Sequence, residues 1–420
     1  MSYSLRTTIR LILAGASILA LLFLAAGCTQ EEPRYNNMPI SVHMERLVRG
    51  ENERTVDQAL DAVIAIGARS VPYLIDAWTD NTSTAVRCRL ARALEALGPV
   101  SVNATPLLVE ALNGVDEQLI GCSAYAIGGI GPGAAVAAPR LGELLRSSDT
   151  TTQINLLYAL GGIGPAASAQ VPLILEAVER ERTRAAAISA LSQMDSAAVD
   201  AVLPWLDGGN ANRRLAACQV LAGVHGDMHR VLPALAEALE DRDLRVRLYA
   251  ARALEQAGPQ AVSALDNLIH TLGDRDDEVR QAATEAIIAI APNSGQQTLI
   301  QALSHDDAQV REGVVRIIGR YTSLTDSARG PLLQHLGDRS TAVRLAVIDV
   351  LSEYGEEIVP TMIERLGSSN VRIRYGAARV LGNIGPRARE AVEPLEAMRD
   401  DPDALVRDEV QRALARIRGN

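Results

Sequence analysis

Three stretches of this chain say nearly the same thing: VRCRLARALEALGP from Val86, VRLYAARALEQAGP from Val246 and IRYGAARVLGNIGP from Ile373. When the chain is aligned on the Gly-Pro that closes the phrase, an anchor position falls at Arg87, Ile120, Gln153, Arg184, Arg214, Arg247, Arg280, Arg311, Arg344, Arg374 and Arg407, every 30 to 33 residues. Seven residues past each anchor stand Leu94, Ile127, Leu160, Leu191, Leu221, Leu254, Ile287, Ile318, Leu351, Leu381 and Leu414, an aliphatic residue without exception. A degenerate twelfth unit, VDQALDAVIAIG, covers Val56 to Gly67. A unit of this length cannot bury its own apolar stripe. Stacked copies can, so the period itself predicts a linear array in which each unit packs on its neighbours.

Each unit reads as two helices. The first opens with Pro, as in Val71-Pro72-Tyr73-Leu74, Val171-Pro172-Leu173-Ile174 and Val231-Leu232-Pro233, because a first-turn Pro gives up an N–H that has no partner there. An acidic turn such as Leu272-Gly273-Asp274-Arg275-Asp276 follows. The second helix begins near the anchor, buries the seventh-position aliphatic residue among Ala neighbours, and ends at Gly-Pro. Composition agrees. Apolar residues make up 48% of the 420 but aromatics only 3%, and no strand pattern stands out, so the core is Ala, Leu, Val and Ile on helices.

The second-helix phrase and its acidic turn resemble HEAT repeats, in particular the short HEAT-like type of phycobilisome lyases, over about residues 40–420. The resemblance implies an all-α, right-handed superhelix (solenoid) of about 12 helical hairpins, with second helices lining a concave face that holds another macromolecule. It also implies that the anchor Arg and acidic turn residues bridge neighbouring units. Asp241, Asp274, Asp338 and Asp401 each stand six residues before their Arg, and Asp243, Asp276, Asp307 and Asp403 stand four before, in position to cap the second helix.

Five residues past the anchors the sequence is not core-like: Arg92, Tyr125, Tyr158, Ser189, Gln219, Arg252, Glu285, Arg316, Asp349, Arg379, Arg412. These positions share a helix stripe with those four residues away. Arg and Tyr are enriched in interface hot spots, which makes Arg92, Tyr125, Tyr158, Arg252, Arg316 and Arg379 the candidate partner-binding residues. Gly128-Gly129 and Gly161-Gly162 are expected to leave a shallow hollow under the two tyrosines.

Signals for chemistry are sparse. All 41 basic residues are Arg, which excludes a Schiff-base lysine and a P-loop lysine. His225 and His229 have metal-pair spacing, but Gly226 between them argues against a continuous helix; no metal and no cofactor are expected. His is nowhere followed by Glu, unlike the iron-binding pairs of the HEAT-like deoxyhypusine hydroxylases. A formal charge of −10 is a poor match for nucleic acid. Cys88, Cys122 and Cys218 occupy positions where other units carry Leu, Tyr and Ala, and read as small core residues. Neighbouring helices about 10 Å apart would hold Cys88 and Cys122 beyond the roughly 7 Å Cα limit for a bridge.

The N-terminus is a separate text. Arg6 and Arg10 precede a charge-free apolar run from Leu11 to Ala26, too short for a typical membrane span and suited to a signal peptide. Leu24-Ala25-Ala26-Gly27-Cys28 resembles a bacterial lipobox, with Ala25 where the family more often has Leu. The resemblance implies cleavage after residue 27 and lipidation at Cys28; residues 28–39, polar with Pro33 and two Asn residues, read as a short flexible tether, and the solenoid covers 40–420. Thr29 supplies no acidic retention signal. The expectation is a lipid-anchored scaffold in the bacterial cell envelope, periplasmic or surface-exposed, that binds a protein or peptide. A bilin-lyase-like enzyme or chromophore chaperone is the alternative.

Overall fold

A computed structural model describes residues 31–50, 52–291, 295–321 and 325–419. Two compact units divide the chain, residues 1–137 and 138–420. Both are all-α solenoid: helical hairpins follow one another, and the second helices of successive hairpins pack side by side. In the first unit these second helices are Glu53–Ile66, Thr84–Leu97 and Glu117–Ile130. In the second they include Leu244–Ala257, Asp277–Ile290, Ala308–Arg320, Thr341–Glu353, Val371–Ile384 and Ala404–Arg418.

The local reasons for these helices are repeated with the phrase. Asp243, Asp276, Asp307 and Asp403 all cap, each accepting a backbone N–H two residues on, from Arg245, Glu278, Gln309 and Leu405 at 2.8–2.9 Å. All eleven seventh-position side chains are buried, none more than 2% exposed. Burying such a side chain is worth roughly 1.5–3 kcal/mol. The helix stops where Gly258 takes φ +55°, a conformation costly for a residue with a Cβ, and a 3-10 segment, Gly258–Ala264, carries the chain to the next first helix.

Some first helices depart from the expected start. Val71–Asp80 and Val171–Val178 open with Pro in the first turn. Pro233 instead lies inside Met228–Ala238, a helix that begins one turn earlier because Asp227 adopts a left-handed conformation there. His225 therefore precedes this helix and His229 lies within it, so the two do not form an i,i+4 pair.

The described part of the expected tether is folded. Arg34–Tyr35 and Met38–Pro39 pair as a minimal antiparallel hairpin around Asn36 and Asn37, both at positive φ, the signature of a tight hairpin turn. Glu32 Oε1 accepts the Ser41 N–H, and Arg69 donates to the Glu31 carbonyl at 3.1 Å, which fastens this segment to the first repeats. The signal segment and Cys28 lie outside the described residues.

Cys88 and Cys122 form a disulfide, contrary to the sequence expectation, with Cα atoms 5.3 Å apart. The expectation confused axis distance with Cα distance. Cα atoms ride about 2.3 Å off the helix axis, so facing positions on helices about 10 Å apart approach to about 5 Å. Close approach is built in at Gly129, where an added Cβ would fall 2.6 Å from the Glu95 carbonyl oxygen. Both cysteines are half-buried rather than core residues. Among the described residues Cys218 is the free cysteine; it is fully buried, and burial pushes its thiol up to about 12.

Candidate partner-binding face

The anchor arginines form a ladder in the second unit. Arg214, Arg247, Arg311 and Arg374 each donate Nε and Nη2 to the two carboxylate oxygens of Asp241, Asp274, Asp338 and Asp401 in the next repeat, at 2.6–2.9 Å. Nη1 of each donates to the carbonyl of the residue six before it, in its own turn. Each Asp also accepts the N–H two residues on, from Asp243, Asp276, Ser340 and Asp403. A rung therefore ties two adjacent turns and the start of a helix through one bidentate pair. Burial pushes the Asp338 carboxyl up, but hydrogen bonds from Arg311, the Ser340 N–H and His335 outweigh it and hold the group down at about 2. These arginines are structural.

Elsewhere other groups substitute. Gln153 uses its amide to bond the Leu145 and Ser148 carbonyls. Arg280 pairs within the first turn of its own helix with Asp277, and His305 stands where the next Asp would be. The His305 ring nitrogen still accepts the Asp307 N–H at 3.1 Å, so the turn keeps its shape without the charge.

The candidate stripe is solvent-facing. In the first unit Tyr125 is 39% exposed, and Arg92 reaches Asp57 of the preceding second helix at 3.4 Å. In the second unit Tyr158 is 37% exposed, Arg316 pairs with Glu312 at 2.9 Å, and Arg252 lies over the Tyr249 ring. Arg379 donates to the Tyr375 hydroxyl at 2.7 Å and lies 4.0 Å from buried Glu409. The expected hollows beneath the tyrosines are filled. The Glu95 backbone sits against Gly129, and an added Cβ on Gly161 would lie 3.0 Å from the Ala190 Cα, so the glycines draw helices together instead of opening space.

Hollows do occur on the second-helix face of the second unit, at places the sequence reading did not mark. One of about 660 Å³ has Arg184, Ile188, Gln219, Tyr249 and Arg252 in its wall. Another, of about 500 Å³, spans the helices of Thr341–Glu353, Val371–Ile384 and Ala404–Arg418, with Arg344, Leu345, Arg372, Tyr375 and Arg379 in its wall. Each includes one stripe arginine, Arg252 or Arg379. Each also includes an anchor arginine, Arg184 or Arg344, followed by a short unit of 30 residues instead of 33. The signal that would have found them is that shortened spacing, together with the neutral turns Gly208-Gly209-Asn210 and Ser368-Ser369-Asn370 in place of the acidic ones.

Stacked hairpins registered by an Arg–Asp ladder, with an exposed polar stripe on the second helices, define a helical-repeat solenoid. The HEAT-repeat family model matches residues 138–415 in five overlapping segments, and the chain belongs to the HEAT-repeat proteins. No curated protein matches its sequence. Among solved structures, Kap121p bound to Pho4p aligns with TM-score 0.48 and 11% identity, over 93% of this chain and 50% of that one. Importin beta aligns with TM-score 0.40 and 14% identity, over 90% of this chain and 61% of that one. YIBA of E. coli aligns with TM-score 0.32 and 18% identity, over 60% of this chain and 96% of that one. The chain spans about half the length of the Kap121p chains it matches.

Proposed function

We propose that this protein is a lipid-anchored extracytoplasmic scaffold that holds a protein or peptide partner on the second-helix face of its repeats. The observation that carries the reading is the division of labour among arginines. Ladder arginines are half-buried or buried and bound to Asp, whereas most fifth-position residues, Arg92, Tyr125, Tyr158, Arg252 and Arg316 among them, are exposed. An Arg- and Tyr-bearing face that the fold does not need is the surface a partner would use. The lipid anchor rests on the Leu24–Cys28 sequence. The Cys88–Cys122 disulfide supports an oxidising compartment, where such bonds persist.

The test has two arms. Changing Tyr125, Tyr158, Arg252 and Arg316 together to Ala is expected to leave helicity intact and to abolish recovery of the partner from a membrane extract. Hot-spot truncations of this kind cost at least about 2 kcal/mol each. Changing Glu176 and Glu237, on first helices, is the control. Loss in the control alone would move the site to the other face and defeat the reading. For the anchor, wild type is expected to incorporate labelled palmitate in a bacterium with lipoprotein processing, and Cys28→Ala is not.

A further inference from the structure

The ladder shows what its arginines are shaped to hold, and Arg344 holds nothing of the kind. Like its sisters, it is fastened by Nη1, to the Asp338 and Arg339 carbonyls at 2.8 and 3.1 Å. The next repeat offers Ser368 where the sisters find Asp. Ser368 reproduces the local bonding of those aspartates, since its Oγ accepts the Asn370 N–H and its carbonyl accepts Arg374 Nη1. Only the carboxylate is missing. The Arg344 Nη2 turns to Thr341 Oγ1 at 2.9 Å, and its Nε has no acceptor among the described residues. The edge that grips a carboxylate in four other repeats thus lines a hollow.

The remaining wall supplies a second half to the recognition. Leu345, Val371 and Leu405 are 38%, 36% and 68% exposed, an apolar cluster beside the guanidinium. Arg372 stands at the rim without a carboxylate among the described residues, while the Arg379 charge is answered by Glu409. Asp403 also lines the hollow, where its Oδ1 caps the last helix by accepting the N–H groups of Leu405 and Val406.

We infer that the hollow over Arg344, Val371 and Leu405 binds a peptide segment of the partner in which an acidic side chain is flanked by aliphatic ones, the carboxylate completing the vacant ladder rung. This deepens the scaffold reading and rests on it. The occupant is committed to peptide because the sister rungs display the bound form: an Asp carboxylate gripped bidentately within a turn of chain. The apolar wall then selects the neighbours of that Asp. The rule that builds the site is simple. Shortening a repeat and neutralising its turn frees the preceding arginine.

The full chain in detergent is titrated into a fluorescein-labelled ten-residue Gly/Ser peptide carrying Leu-Asp-Leu at its centre, with Leu-Asn-Leu and Ser-Asp-Ser versions as comparators, and anisotropy is read. The Leu-Asp-Leu peptide is expected to bind at least fivefold more tightly than either. Arg344→Gln is expected to erase the preference for Asp over Asn. Ser368→Asp supplies the missing rung from within the protein, and is expected to raise the melting temperature by about 2 °C while weakening the peptide at least fivefold. That opposite movement of stability and affinity is something a damaged fold cannot mimic. Equal binding of the three peptides, or an unchanged preference in Arg344→Gln and Ser368→Asp, would overturn the inference, as would decanoate displacing the probe in the wild type more effectively than the unlabelled peptide does. The variant with Tyr125, Tyr158, Arg252 and Arg316 replaced does not touch this hollow. If it loses the partner while Arg344→Gln keeps both partner and peptide binding unchanged, the scaffold reading stands and this inference falls.

Discussion

Adjacent repeats in residues 31–137 and in residues 138–420 have the same hairpin and the same buried aliphatic residue, yet they are registered by different chemistry. In the first unit the second helices at Arg87 and Ile120 are joined by a disulfide and drawn together at Gly129. In the second, four pairs of neighbours are joined by a bidentate Arg–Asp pair lying between turns. The difference teaches that the repeat's apolar core sets the stacking and that register is an added, replaceable layer. Where that layer is left out, as after Arg344, the freed groups are available for a ligand.

The comparison is broken first by attacking the shared layer. Leu254→Ala is expected to cost about 2–5 kcal/mol, the sum of lost transfer energy and a cavity, because Leu254 is 0% exposed. Urea denaturation measures it, and a cost clearly smaller than that of the rung variants below would place register above the core. Next comes the covalent tie. The Cys88→Ser, Cys122→Ser double variant removes a closure across 34 residues, and its expected cost is about 2–4 kcal/mol. A smaller cost would mean that the Gly129 contact alone holds the two helices.

Asp274→Ala should follow at about 2 kcal/mol, the scale of charge-assisted hydrogen bonds in a largely buried pair. The same rungs give a pH dependence with a definite sign. The Asp338 carboxyl is held at about 2 when folded against 3.8 ordinarily, so its stabilisation is complete above about 4 and is lost as pH falls towards 2. Asp338→Asn is expected to flatten that part of the stability profile, as followed by circular dichroism. The smallest effect belongs to the stripe. Arg316→Ala gives up an exposed i,i+4 pair and should change stability by less than about 0.5 kcal/mol.

What the sequence disclosed and what it withheld follow one physical line. Periodic features were legible because each is stated many times: the seventh-position core, the Asp caps and the Arg–Asp rungs between repeats all lie where the spacing puts them. Single-copy features were not. The hairpin at Asn36-Asn37 reads as polar linker until both residues are seen at positive φ, and the disulfide was dismissed because axis spacing stood in for Cα spacing. The glycine pairs were read as empty space, although what a missing Cβ does depends on whether a neighbour fills it. The hollow at Arg344 was invisible because it is made by an absent charge, and a repeat alignment draws attention to what recurs.

Hydrogen exchange, read repeat by repeat on the disulfide-reduced protein and on Asp274→Ala, tests most directly the claim that register is local and chemically interchangeable while the core is common. Reduction is expected to raise exchange in the Thr84–Leu97 and Glu117–Ile130 helices and leave Leu244–Ala257 and Asp277–Ile290 at their starting protection. Asp274→Ala is expected to do the reverse. A uniform rise across all four helices in either experiment would contradict the account, because it would mean that the chain opens as one block and that no rung belongs to its own pair of repeats.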